Sequence, residues 1–408
     1  MKLIRYLVKM ILLYICFPFC FIFPKNKKIV LFGGWFGKKF ADSPKVLFDY
    51  SKKNNTGYKT YFYIKDKSLF KKIKIIDNYK KAIIYYHSLK GLWIQLRAKT
   101  LVCCIGPESD FNPYLFGGKI IILYPHGISA KTPKEDNIQE DVWSKRYRKM
   151  KSLYSKFNKA FYISPSSYLL DSFMNFHKWI KHFYVQGLPE YDVFFDNDYY
   201  PDVVSGIRKQ YSYVFSYLPT HRQEGNVEFP MKDIFDFDDL NEFLIKTNSL
   251  LIIKKHFYHS KEKNITGYSN IVDVTNSNLE LSIYLKASDA VVSDYSSTAF
   301  VFLFLNKPVI NYVFDLDSYL KNDRKSFVPV KETFFGPAVS DYVSLKKEMM
   351  NCINGVDNYK KIRDEYNKKY FDKSISYPCS EYFFEYILKN VTNRCNINNF
   401  ISKCRNKN

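Results

Sequence analysis

Ten short apolar runs recur along the chain, separated by longer stretches in which apolar residues fall at helical spacing. The runs are Lys28–Phe32, Lys59–Ile64, Thr100–Ile105, Lys119–Tyr124, Ala160–Ser164, Phe183–Gln186, Tyr213–Tyr217, Leu250–Lys254, Ala290–Ser293 and Val309–Tyr312. Each is four to six residues long and rich in Ile, Val, Leu, Tyr and Phe, so each is expected to be a β-strand. Strands alternating with helices predict α/β units built on parallel sheets. The clearest unit is strand Ala290–Ser293, helix Thr298–Leu305, strand Val309–Tyr312. Its helix is apolar almost all round and is expected to be buried. No internal repeat and no low-complexity linker interrupts the pattern.

At 408 residues the chain exceeds one ordinary compact domain, and two of roughly 150–200 residues each are expected. Hydrophobic residues make up 46%, enough for a sizeable core. The polar stretch Asp196–Gln210, which holds Pro201 and Gly206, is the expected boundary. The chain then divides into an N-terminal segment at 1–27, a first Rossmann-like domain at 28–200, a second at 201–375, and a terminal helix with a basic tail at 376–408. In the first segment Lys2, Arg5 and Lys9 precede an apolar run from Met10 to Phe23, followed by Lys25, Lys27 and Lys28. That run falls short of the roughly 20 residues that span a bilayer, and Pro18 interrupts it. Its basic flanks suit a segment lying in the cytoplasmic interface of an anionic membrane. A buried first helix is the alternative.

Charge narrows the partners without choosing one. Lys and Arg outnumber Asp and Glu by 62 to 40, a net charge of +22. Such a balance favours a polyanion: nucleic acid, anionic lipid or an acidic polymer. A general bias toward Lys, Asn, Tyr, Ile and Phe produces the same excess. No basic helix or aromatic-interleaved motif supports nucleic acid. The eight cysteines show no paired CxxC spacing with histidines, so neither a zinc site nor a disulfide framework is expected.

Ligands of open α/β sheets bind beyond the carboxyl ends of the strands. Pro125-His126-Gly127 follows one strand, and a histidine there can take a proton from a hydroxyl near neutral pH. Thr220-His221-Arg222 follows another, with Arg222 a candidate phosphate fork. Lys255-His256 follows a third, a basic pair suited to phosphate, with His259 further into the loop. Asp294-Tyr295-Ser296-Ser297-Thr298 opens the buried helix, where hydroxyls and free N–H groups can cap the helix or meet an anion. Asp294 is placed either to accept from a ligand hydroxyl or to orient the loop. Each element taken singly also reads as an ordinary turn or surface cluster.

The Asp294-Tyr295-Ser296-Ser297 element resembles the signature of the CDP-glycerol glycerophosphotransferase family, which includes teichoic acid primases and polymerases. Further elements fall in that family's order: Gly37-Lys38, Asp42-Ser43-Pro44-Lys45, Ile64-Lys65-Asp66, His126-Gly127 with Lys131, Ser164-Pro165-Ser166, Gly187 to Asp192, Pro219 to Arg222, Lys255-His256, Arg324 and Gly336-Pro337. The chain departs from the family at Ile128-Ser129, where Thr-Pro is common, at Glu190, where arginine is usual, and near Asp372–Tyr377, where no Asp-Gly followed by Arg is visible.

The resemblance implies a GT-B-like architecture of two Rossmann-like domains with a cleft between them, and peripheral attachment to the cytoplasmic face of the cell membrane. It implies that His126 serves the acceptor hydroxyl while His256, Ser296 and Ser297 hold the donor's pyrophosphate. Gly127, Lys131, Thr220, Arg222, Lys255, Asp294, Thr298 and Arg324 complete the expected substrate-binding set. The implied donor is CDP-glycerol or CDP-ribitol. The implied acceptor is a polyol-phosphate or glycan, lipid-linked, of a teichoic acid or capsule type. No DxD-like element stands at a strand end, so no cofactor is required by the sequence, though Mg²⁺ could assist the nucleotide. The competing readings are a GT-B glycosyltransferase using a nucleotide sugar and a catalytically inert scaffold.

Overall fold

The computed structural model describes residues 11–12, 15–128, 157–177, 179–223, 226–256, 259, 262–277, 279–323, 326–372, 377–393 and 395–406. The chain divides into two compact units. The first takes Met1–His126, Asp136–Asp192 and Asp372–Asn408; the second takes Gly127–Glu135 and Val193–Phe371.

The first unit is built on strands β1 (Asn26–Phe32), β2 (Lys59–Ile64), β3 (Ile83–Tyr85), β4 (Ala98–Cys103), β5 (Ile120–Leu123), β6 (Lys159–Ser164), β7 (His182–Val185) and β14 (Arg405–Asn406). Their order is β14-β7-β6-β5-β4-β1-β2-β3. All pairs are parallel except β14 on β7. The second unit carries β8 (Tyr213–Tyr217), β9 (Ser249–Ile253), β10 (Ile271–Asp273), β11 (Ala290–Ser293), β12 (Val309–Tyr312) and β13 (Ala338–Val339). Their order is β10-β9-β8-β11-β12-β13, parallel throughout. The expected α/β class with parallel sheets is what the structure shows.

Each sheet has a point where strand order reverses, and these points fix where a ligand crevice opens. In the first sheet it lies between β1 and β4, in the second between β8 and β11. The central strands are anchored by complete burial: Val30, Leu31 and Phe32 of β1, and Val291 of β11, are at 0% exposure. Helix Asp42–Lys53 covers β1 and β2 by burying Leu47 and Phe48, with Phe48 edge-on to Phe32 and Phe62. The expected buried helix forms at Ala299–Phe304, with Ala299, Phe300, Phe302 and Leu303 buried. Its last carbonyls are met by the Asn367 amide, which donates to Leu303 O at 2.7 Å and Phe304 O at 3.2 Å.

Two segments differ from expectation. Within the polar stretch expected as the boundary, helix Pro201–Gln210 of the second unit forms, started by Pro201 in its first turn. The division between units falls earlier, at Asp192/Val193. The segment expected as a terminal helix and tail belongs to the first unit. There Asp192 accepts from Cys379 N (2.7 Å) and Ser380 N (2.8 Å), and Phe383, Phe384, Ile387 and Leu388 are buried.

At the N-terminal end, residues 15–22 are helical. Cys20 is buried and lies against Gly117, while Ile15, Phe19, Phe21 and Ile22 are exposed. Among the described residues no helix is long and apolar enough to cross a membrane.

Candidate active site

The first unit gathers its chemistry at the carboxyl ends of β1, β5 and β7. The loop after β1 runs from Gly33 to Asp42 and holds three non-glycine residues at positive φ: Trp35 (50°), Phe36 (59°) and Asp42 (62°). Each costs about 1–2 kcal/mol, so the surroundings must hold them there. Asp110 does much of this. Its buried carboxylate accepts from Phe36 N at 2.9 Å, Ile105 N at 3.1 Å and Cys104 N at 3.2 Å, tying the loops after β1 and β4 together. Asp42, so fixed, accepts at Oδ2 from Trp35 Nε1 at 2.6 Å and pairs with His126 Nδ1 at 2.6 Å. The Trp35 ring stands edge-on to the imidazole at 4.1 Å, with the Lys39 ammonium 3.8 Å from the indole.

His126 is thus held by a carboxylate on one nitrogen, which leaves Nε2 as its basic atom. Its side chain is 48% exposed, so a substrate hydroxyl can reach it. Gly127 follows at φ 70°, the left-handed turn that glycine permits without strain. Partial burial opposes a charge on His126, but the Asp42 carboxylate outweighs it and raises the imidazole pKa above the ordinary value. Burial pushes the Asp42 carboxyl up; the His126 charge and the bonds from His126 and Trp35 pull it below the usual range. Glu190, on the short helical turn Pro189–Phe194, accepts from Ser43 Oγ at 3.2 Å beside this pair. Burial and the Asp42 charge push its carboxyl to about 8.

The second unit gathers the remaining candidates beyond β8, β9 and β11. His221 and His256 lie with ring centroids 4.6 Å apart, both half-buried. Asp294 is buried and accepts from Thr220 N at 3.0 Å, so of its two expected roles the geometry shows the loop-orienting one. Ser296 Oγ accepts from Thr298 Oγ1 at 2.8 Å, a local turn that opens helix Ala299–Phe304.

Two of the expected ligand groups have partners within the protein. Arg222 is not an open phosphate fork. Nε donates to Asp315 Oδ2 at 2.6 Å, Nη2 to Asp315 Oδ1 at 3.0 Å and Nη1 to Thr220 O at 2.6 Å, and Nη1 lies 2.9 Å from Asp294 Oδ2. The guanidinium is boxed by Phe229, Tyr295, Phe314 and Tyr319. Lys255 is likewise turned inward: it is buried, donates to Lys263 O at 3.0 Å and faces Glu262 and Asp273 at 3.5 and 3.8 Å. His259 is buried against Glu262 at 2.6 Å. Lys131 and Arg324 lie outside the described residues.

A family model for CDP-glycerol:poly(glycerophosphate) glycerophosphotransferases matches residues 15–376. The chain belongs to that family. Among curated relatives of this glycerophosphotransferase family, it is 25% identical over 371 residues to a teichoic acid poly(glycerol phosphate) polymerase of Bacillus spizizenii, covering 86% of this chain and 89% of the relative. It is 29% identical over 163 residues to a teichoic acid poly(ribitol-phosphate) polymerase of the same species, covering 37% and 26%. Among solved structures, the wall teichoic acid polymerase TagF superposes with a TM-score of 0.72 at 21% identity, covering 90% of both chains, and so shares the fold. Asp42, Asp110, Glu190 and His221 were not among the expected site residues of this family member. Asp42 sits in a quoted motif, but its partner lies 84 positions away, and nothing local marks it as the group that orients His126.

Proposed function

We infer that the protein transfers a polyol phosphate from a CDP-polyol to a hydroxyl of a surface polymer of the teichoic acid type. Membership of the glycerophosphotransferase family supports this reaction class. The observation that carries the mechanism is the Asp42–His126 pair at the end of β5. The acceptor oxygen forms a bond to the donor's β-phosphorus, the bond from that phosphorus to the bridging oxygen breaks, and CMP leaves with the electron pair. The acceptor proton passes to His126 Nε2, and Asp42 stabilises the resulting imidazolium. In the second unit His256, with His221 beside it, and the hydroxyls of Ser296 and Ser297 hold the pyrophosphate, on loops braced by Arg222 and Asp294. One of the TagF structures that share the fold comes from a soak with CDPG, which supports a CDP-polyol donor.

Glycerol is favoured over ribitol as the donor's polyol. The glycerol-phosphate relative matches along most of this chain, whereas the ribitol-phosphate relative matches over about a third of it. The acceptor is lipid-linked, and the protein works at the cytoplasmic face of the membrane. The exposed apolar side of residues 15–22 and the neighbouring exposed Lys27 and Lys28 support this. Mg²⁺, where used, accompanies the nucleotide; among the described residues no acidic or histidine cluster forms a metal site.

The test is CMP release from CDP-glycerol with acceptor present. His126→Ala should reduce it by about 10²–10⁴-fold while CDP-glycerol still binds. Full turnover in that variant removes His126 from the mechanism. Release of UDP from a nucleotide sugar, and none of CMP, would replace the reaction by glycosyl transfer.

A further inference from the structure

Among the described residues, Glu190 is an acid that acts on His126 and that the mechanism above leaves unused. It reaches the site from the turn after β7, whereas Asp42 comes from the loop after β1 and His126 from the end of β5. Its Oε2 accepts from Ser43 Oγ, at the first turn of helix Asp42–Lys53. That helix has Ala41 at its cap and no side-chain cap bond, and Glu190 ties its first turn to the turn after β7 through the Ser43 hydroxyl. The side chain is half-buried.

Asp42 pairs with the imidazole, and the second carboxylate, Glu190, is held on the neighbouring Ser43, so both act on His126. Among the described residues, the charged groups that act on Glu190 are Asp42, one residue before its Ser43 partner, and His126; Lys39 acts on Asp42 and His126 in turn. Asp42 already carries the negative charge that pairs with His126. A second ionised carboxylate has to compete with the first for one cation in a partly dry site, and like charges so placed do not both ionise at neutral pH. The competition falls on Glu190: burial and the Asp42 charge lift its carboxyl to about 8, with His126 pulling the other way.

We propose that Glu190 is a further acceptor-binding residue, which works as a neutral carboxylic acid that donates a hydrogen bond to an acceptor oxygen next to His126. One oxygen accepts from Ser43, which leaves the other to carry the proton in this proposal. A neutral donor at this position suits a polyol or sugar hydroxyl, and it adds no repulsion against a phosphate further along the acceptor. Loss of the proton puts a second negative charge beside the attacking hydroxyl and removes the donor. The proposal rests on the acceptor-side reading of His126.

Glutamine is the direct test, because its amide keeps the acceptor for Ser43 and a permanent donor for the substrate. In the wild type, kcat/KM for acceptor should fall by about tenfold for each pH unit above 8, as the donor ionises. Glu190→Gln should match wild type at pH 7 within about threefold and lack that alkaline fall. Glu190→Ala should lose roughly 5–100-fold below pH 8, with CDP-glycerol binding kept, and should lack the alkaline fall, so that the gap to wild type closes as pH rises. An alkaline fall that survives in Glu190→Gln, or an unimpaired Glu190→Ala, overturns the proposal. Carbon-13 NMR of the glutamate carboxyls, with Glu190→Gln to assign the signal, reads the same proton without turnover. A carboxyl that titrates near 8 supports the proposal, and one already ionised at pH 7 refutes it. A wild type that releases no CMP at any pH sinks the transfer reading instead, and the NMR titration still decides Glu190.

Discussion

At the scale of single residues, the site depends on what holds His126. The sequence places His126 after a strand and next to glycine, and the structure puts it at the end of β5. Its base strength comes from Asp42, which no local pattern connects to it. Asp42→Asn tests that link. The asparagine amide can donate to Nδ1, which moves the imidazole proton to Nε2, where the acceptor hydroxyl needs a free lone pair. Turnover should fall by about 10²–10⁴-fold at pH 7 with little change in CDP-glycerol affinity, read by steady-state CMP release and a binding titration. The sign of the pH dependence follows from the shifts. His126 is raised above its ordinary value, so wild-type activity climbs with pH through that raised pKa as the base form appears. The stability the imidazolium adds is complete below its unfolded pKa and is lost as pH rises through the folded one. Asp42 is lowered, so its contribution is present above its unfolded pKa and is lost as pH falls through the folded one. The pair therefore supports the fold between those limits, and Asp42→Asn should flatten thermal stability across that window.

At the scale of elements, the sheets were legible and the ties between loops were not. β2, β8, β11 and β12 coincide with their expected runs, because each has a strand on both sides and most of its apolar residues buried. β4 lies two residues before its expected run, since Cys104 and Ile105 are drawn into the loop by Asp110. β3, β10, β13 and β14 were not anticipated. They are the edge strands of the two sheets, two or three residues long and too short for an apolar run to mark. A basic residue after a strand suggested a ligand fork at Arg222, yet its partner Asp315 is 93 positions away, after β12. Arg222 thus joins three loops: its own after β8, that of Asp294 after β11 and that of Asp315 after β12. Arg222→Ala leaves two carboxylates beside each other in an aromatic box, and should cost about 3–5 kcal/mol. Arg222→Lys should recover only part of this, since an ammonium cannot bridge Asp294 and Asp315 with a planar fork. Chemical denaturation checks both. A variant as stable as wild type would mean that the three loops hold without the tie, and would return Arg222 to the ligand.

At the scale of the whole molecule, charge and exposed apolar surface converge on the N-terminal end. The net charge of +22 is spread along the chain and by itself names no partner. Residues 15–22 add a second element. Their helix rests through Cys20 on Gly117, where a side chain would clash, and presents Ile15, Phe19, Phe21 and Ile22 outward, beside exposed Lys27 and Lys28. A short helix with one side buried in protein and the other apolar suits a bilayer surface more than its interior. Two contributions should then be separable. Fully burying Phe19 and Ile22 is worth at most about 1.5–3 kcal/mol each, and the lysines add about 1 kcal/mol apiece on an anionic leaflet, the latter screened by salt. In a vesicle sedimentation assay, binding should be tighter with anionic than with zwitterionic lipid and should weaken as salt rises. Phe19→Ser with Ile22→Ser should weaken it by roughly 10–100-fold at any salt. Turnover of a water-soluble acceptor should be unchanged in that variant, because the His126 site lies at the carboxyl ends of the strands and the substitutions are remote from it in sequence. Binding indifferent to both the substitutions and the lipid charge would place this apolar surface against a protein partner instead, and the same variant would then lose that partner rather than the membrane.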